Sequence, residues 1–72
     1  MEYYDRIRAA REDKDITQKE IAEALKTTQG YYSKYELGIR ELPLSRLREI
    51  CLYLGVSADY LLGLPKGLNW PR

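Results

Sequence analysis

Apolar positions recur at helical spacing along this chain, and short polar or glycine-bearing breaks divide them into five predicted helices. From Tyr4 to Asp13, Tyr4, Ile7 and Arg11 fall at i, i+3 and i+7, and Lys14 continues the same side. An arginine on an inward stripe calls for an acidic partner. Thr17 followed by Glu20 is a capping box that opens helix 2, and Ile16 and Ile21 have the spacing of a hydrophobic staple. Ile21, Ala22 and Leu25 form its inward side. Lys26-Thr27 breaks that stripe. Thr28 can then cap a third helix through about Glu36, with Tyr32, Tyr35 and the stem of Glu36 on one face. Glu36 ends that helix with its acid inward, which makes it the obvious partner for Arg11; the alternative is two separately solvated charges. Residues 37–43 read as a loop in which Gly38 terminates helix 3 and Pro43 suits the first turn of helix 4. Helix 4, Leu44 to Leu54, buries Leu44, Leu47, Ile50, Cys51 and Leu54, and Gly55 closes it. Ser57 caps a last helix to Leu62, with Val56 and Leu61 as staple partners, and Gly63 ends it. The pattern predicts an all-α, five-helix bundle over residues 1–63. Two prolines and a glycine predict an irregular tail over 64–72, although Leu64, Leu68 and Trp70 are more apolar than a free tail needs.

The face of helix 3 opposite the tyrosines carries the candidate chemistry. Gln29 sits at its N-terminal tip, and Gly30, Ser33 and Lys34 follow on the outer side. A small, polar face that offers an amide and an ammonium suits the major groove of duplex DNA, where it can approach base edges closely.

These elements resemble the helix-turn-helix family of phage Cro and repressor proteins, the XRE group. The resemblance rests on TQKEIAEAL, TTQ, the Tyr-Glu-x-Gly ending at Gly38, and LGVSADYLLG, in the family's order and spacing, and it covers roughly Tyr4 to Gly63. It implies a helix-turn-helix at helices 2 and 3, an Arg11–Glu36 pair between helix 1 and helix 3, and a transcriptional regulator, more often a repressor, that binds duplex DNA as a homodimer. The chain departs from the family pattern twice. Lys26 stands where many members carry glycine in a left-handed conformation, a substitution costing about 1 kcal/mol. Leu37 stands where many carry asparagine, so a phosphate contact from that side chain is absent.

Roles within the motif follow from side-chain chemistry. Gln29 is the leading base reader, since a glutamine amide pairs bidentately with adenine N6 and N7. Gly30, Ser33 and Lys34 complete the base-reading set. Gln18, Lys19, Tyr31 and Arg40 are candidate phosphate anchors, with Gln18 at the first position of helix 2. One recognition helix reads few base pairs, which favours two copies on half-sites one helical turn apart. Tyr60, Leu61, Leu64, Leu68 and Trp70 are the candidate interface, the alternative being that Trp70 folds back on its own domain or stays mobile.

Charge sharpens the picture only through its distribution, because the net charge of 72 residues is +1. Residues 1–25 carry five basic and seven acidic side chains, a balance of −2. Residues 26–40 carry Lys26, Lys34 and Arg40 against Glu36, a balance of +2 that places positive potential at the reading helix. Hydrophobic residues make up 44% of the chain, ordinary for a folded domain. The lone Cys51 lies in an apolar helical pattern and reads as a buried thiol of a reducing cytoplasm. No stretch approaches a membrane span or a signal-peptide core. With no histidine, cysteine pair, phosphate loop or acidic cluster at ligand spacing, neither an enzyme, a metal, a cofactor nor a small-molecule ligand is expected. The competing reading is a protein-interaction module of the same fold, such as the antitoxin of a toxin–antitoxin pair.

Overall fold

The computed structural model describes residues 2–65 and 67–68, so expectations about Trp70 lie outside the described residues. Among the described residues five helices follow one another: α1 (Tyr3–Asp13), α2 (Gln18–Ala24), α3 (Gln29–Glu36), α4 (Leu44–Leu54) and α5 (Ala58–Leu62). No strand occurs among the described residues, and no helix there is long and apolar enough to cross a membrane.

The helix starts are set locally. The Thr17 hydroxyl accepts the Glu20 N–H, and the Glu20 carboxylate accepts the Thr17 N–H in return, closing the capping box. Thr28 and Ser57 accept from the N–H groups of Tyr31 and Tyr60 in the same way. Helix α1 begins one residue earlier than its stripe implies. The Asp5 carboxylate accepts the Glu2 N–H and recruits Tyr3 into the first turn.

All five helices stop alike. In each, a residue at or just after the C-cap takes a left-handed conformation, and the next N–H reaches back to the carbonyl five residues earlier. Gly38, Gly55 and Gly63 occupy three of these positions, and Asp15 and Lys26 the other two. Lys26 has φ of 59°, and the Thr27 N–H reaches the Ala22 carbonyl at 2.9 Å. Lys26→Gly is expected to raise stability by up to about 1 kcal/mol. That should lift the melting midpoint by several degrees, and an unchanged or lower midpoint would show no strain at this turn.

The core is built from Ile7 and Ala10 of α1, Ile21 and Ala22 of α2 with Leu25, Tyr32 and Tyr35 of α3, Leu47, Ile50 and Leu54 of α4, and Leu61 of α5. Helix α1 packs against α3 and α5, α2 against α3 and α4, and α4 against α5. Arg46 of α4 donates to the Leu25 carbonyl, joining a cation to the negative end of α2.

Four expectations are corrected. Leu44 is 81% exposed at the first residue of α4, where side chains lean toward the N-terminus of the helix and away from its packed turns. Lys14 is exposed as the C-cap of α1, past the end of the stripe that would have turned it inward. Cys51 is half-buried at the edge of the core, and burial pushes its thiol up. Leu61 is fully buried within its own chain, where α5 closes against α1, and is unavailable to a partner.

Candidate nucleic-acid interface

Helix α3 is locked from below by one carboxylate. Arg11 donates to Glu36 through Nε at 2.7 Å and Nη2 at 3.1 Å, a bidentate pair joining α1 to α3. Its Nη1 donates to the Ile16 carbonyl at 2.8 Å. The Tyr32 hydroxyl and Gln18 Nε2 also donate to Glu36, the latter at 3.0 Å, so α1, α2 and α3 meet at this group. Burial alone would push the Glu36 carboxyl up. Hydrogen bonds from Arg11, Tyr32 and Gln18 outweigh it and hold the group below the usual carboxylate range. The hydrogen bond to Glu36 is the main reason the Arg11 guanidinium is held above its ordinary value. Burial, reinforced by Glu36, drives the Tyr32 phenol far up, so it remains a protonated donor.

The opposite face of α3 is open. Gln29 is the first residue of the helix and is exposed, as are Gly30 and Lys34. Open space surrounds Gly30, where an added Cβ would meet nothing within 4 Å. Ser33 is half-buried, and its hydroxyl donates to the Gly30 carbonyl at 2.9 Å, leaving its oxygen lone pairs to accept. The base-reading candidates thus share one solvent-facing side of one helix.

The phosphate candidates are placed less uniformly. Lys19 of α2 and Arg40 of the following loop are exposed. Tyr31 is at the margin of exposure, edge-on to Tyr35 with ring centroids 5.7 Å apart. Gln18 is half-buried, and one of its amide hydrogens is committed to Glu36. The carboxylate fixes the side chain at the base of the motif. Glu36 is buried, so the exposed charged side chains of residues 26–40 are Lys26, Lys34 and Arg40, all cations.

Sequence reasoning missed the supports of the α3–α4 loop. The Leu42 N–H donates to the Tyr3 hydroxyl at 3.3 Å. The Tyr4 ring lies over Gly38, where a Cβ would come within 2.7 Å of its carbons. Gly38 is therefore required both by its φ of 74° and by this close approach. The available signal was a pair of tyrosines at the start of a helix otherwise rich in charge.

Comparison with known proteins matches this geometry. Residues 7–61 match the helix-turn-helix family model. The chain is similar to YqaE of Bacillus subtilis (strain 168), an uncharacterized HTH-type transcriptional regulator, with 38% identity over 60 residues that cover 83% of this chain and 52% of that protein. It is similar also to YonR, an SPbeta prophage-derived uncharacterized HTH-type transcriptional regulator of the same organism, with 38% identity over 58 residues covering 81% and 54%. YobD, a third such regulator of that organism, is 32% identical over 62 residues covering 86% and 55%. The chain spans about half the length of the curated relatives it matches. No solved structure matches at comparable stringency. The motif at α2 and α3, the family match across the core and the identity to these regulators together establish that the chain belongs to the XRE-type helix-turn-helix family.

Proposed function

We propose that the chain binds duplex DNA sequence-specifically as a cytoplasmic transcriptional regulator, inserting α3 into the major groove and repressing by occupancy of its site. The observation that carries this reading is the two-sided character of α3. Its inner face is anchored by Tyr32, Tyr35 and Glu36, its outer face offers Gln29, Gly30, Ser33 and Lys34, and the exposed charges of residues 26–40 are all cations. The relatives named as transcriptional regulators support it. Gln29 reads a base, Lys34 and Ser33 contribute beside it, and Lys19, Tyr31 and Arg40 meet the backbone with Gln18 at the motif's base. Repression needs only that the bound protein obstruct polymerase. Two copies, joined through the exposed Tyr60, Leu64 and Leu68 and the adjoining tail, would set two reading helices on one operator.

Gln29→Ala tests the reading tip. It is expected to weaken the preferred duplex by about 1–3 kcal/mol and to relax selection at one base pair per half-site. Lys34→Ala and Arg40→Ala should weaken all duplexes more evenly. Selection of bound duplexes from a random pool measures both effects, and an unchanged preference in Gln29→Ala would displace Gln29 from the reading role.

One observation favours the protein-interaction reading alongside DNA binding. Leu44 and Leu52, eight residues apart on one flank of α4, are 81% and 69% exposed. A stoichiometric protein complex insensitive to salt and not displaced by duplex DNA would identify that activity; steep salt dependence and competition by duplex would identify the first.

A further inference from the structure

The Arg40 guanidinium carbon lies 4.7 Å above the centroid of the Tyr31 ring. That ring is itself braced, edge-on to Tyr35 at 5.7 Å, and Tyr35 is buried and edge-on to Tyr32 at 6.3 Å. Three aromatic rings thus run from the core to the surface and end in a cation. The loop carrying Arg40 is held as well. The N–H groups of Ile39 and Arg40 both donate to the Lys34 carbonyl, at 3.0 and 3.3 Å. Gly38 sits under the Tyr4 ring, and the Leu42 N–H is bound by Tyr3.

Among the described residues Arg40 takes part in no ion pair and no side-chain hydrogen bond. Stacking occupies the face of a guanidinium and leaves its in-plane N–H groups free, and those are the donors that match a phosphate. A long side chain held in this way loses less conformational freedom on binding.

We infer that Tyr31 is a positioning residue: its ring is a shelf that holds Arg40 ready for a backbone phosphate beside the base pairs read by Gln29. This rests on the DNA-binding reading above and changes the role of Tyr31 within it. The hydroxyl of Tyr31 is not the phosphate ligand; the ring acts through Arg40.

The test compares wild type, Tyr31→Phe, Tyr31→Leu, Arg40→Ala and the double variant Tyr31→Leu/Arg40→Ala, by fluorescence anisotropy on the duplex selected by wild type across a salt series. Tyr31→Phe keeps the shelf and should bind as wild type does. Tyr31→Leu should weaken binding by about two- to fivefold, the worth of an exposed cation–π contact. Arg40→Ala should weaken it further and reduce the slope of log affinity against log salt by about 0.9, one phosphate contact. The double variant should bind no more weakly than Arg40→Ala alone, because the shelf has no purpose without its cation. Equal damage from Tyr31→Phe and Tyr31→Leu would make the hydroxyl the contact and overturn the inference. So would multiplicative effects in the double variant.

A readout without DNA keeps the two hypotheses separate. Ring current should shift the Arg40 δ-methylene protons of the free protein upfield, and Tyr31→Leu should return them to ordinary positions. Unshifted protons in wild type would overturn the shelf while leaving DNA binding intact. Absence of salt-dependent duplex binding by wild type would overturn the DNA reading and its phosphate contact, even with the stack present in the spectrum.

Discussion

Glu36→Ala is expected to unfold the chain, or to lower its melting midpoint by tens of degrees. Arg11 and Glu36 are 9% and 3% exposed, so removing the carboxylate leaves a guanidinium largely out of water with two of its donors unpaired. The Tyr32 hydroxyl and the Gln18 amide lose their acceptor as well. Breaking a buried pair from one side costs about 3–5 kcal/mol. A single core of this size rarely supplies more than about that. Glu36→Gln keeps the shape and one acceptor and should be less damaging. The same group contributes to the acid limit of stability. Its carboxyl is held below the ordinary value, so its contribution is present above the unfolded-chain value of 4.5 and is lost as pH falls through the folded value. Thermal melts across acid pH should show this limb in wild type and a shallower one in Glu36→Gln. A Glu36→Ala midpoint within a few degrees of wild type at neutral pH would mean that water, and not the pair, satisfies these groups.

Removal of residues 64–72 is expected to dissociate the proposed dimer and to reduce operator affinity by about 10²–10⁴-fold, the scale of losing simultaneous engagement of two sites. Helical circular dichroism should persist, since every core residue named above lies between Ile7 and Leu61. At this end of the chain Tyr60, Leu62, Leu64 and Leu68 are exposed, with Leu61 turned into its own core. Sedimentation decides the point. A truncated chain that keeps the mass of the full chain would move the interface elsewhere, and the exposed flank of α4 would be the next surface to test.

Features set by close neighbours in sequence were legible before any coordinates. Thr17 with Glu20, Thr28, Ser57 and the three terminating glycines act within a turn of themselves, so local spacing reveals them. The Arg11–Glu36 pair was legible for a different reason. Each charge interrupts an inward stripe, and two such interruptions of opposite sign in one small core are natural partners. Contacts that depend on how helices cross left no such trace. Gln18 reaches Glu36 across 18 residues, Arg46 reaches the Leu25 carbonyl across 21, and Tyr3 reaches Leu42 across 39. Leu44 shows the complementary limit: periodicity gives its angle on the helix, while burial also requires a neighbour at that height. The stacking of Arg40 on Tyr31 was illegible because it depends on the path of a loop.

The withdrawal of Arg11 and Glu36 from solvent also bears on the rate at which a polyanion is found. Removing Arg11 takes the exposed charge of residues 1–25 from −2 to −3, and removing Glu36 takes that of residues 26–40 from +2 to +3. The net charge stays at +1. A nearly neutral molecule gains little attraction to a duplex from far away. On the proposed DNA-binding reading, the local excess of cations on α3 and its loop would act within the Debye length of about 8–10 Å and orient that segment toward the phosphates. Productive encounters would then owe more to orientation than to capture, and added salt would slow association by screening that alignment.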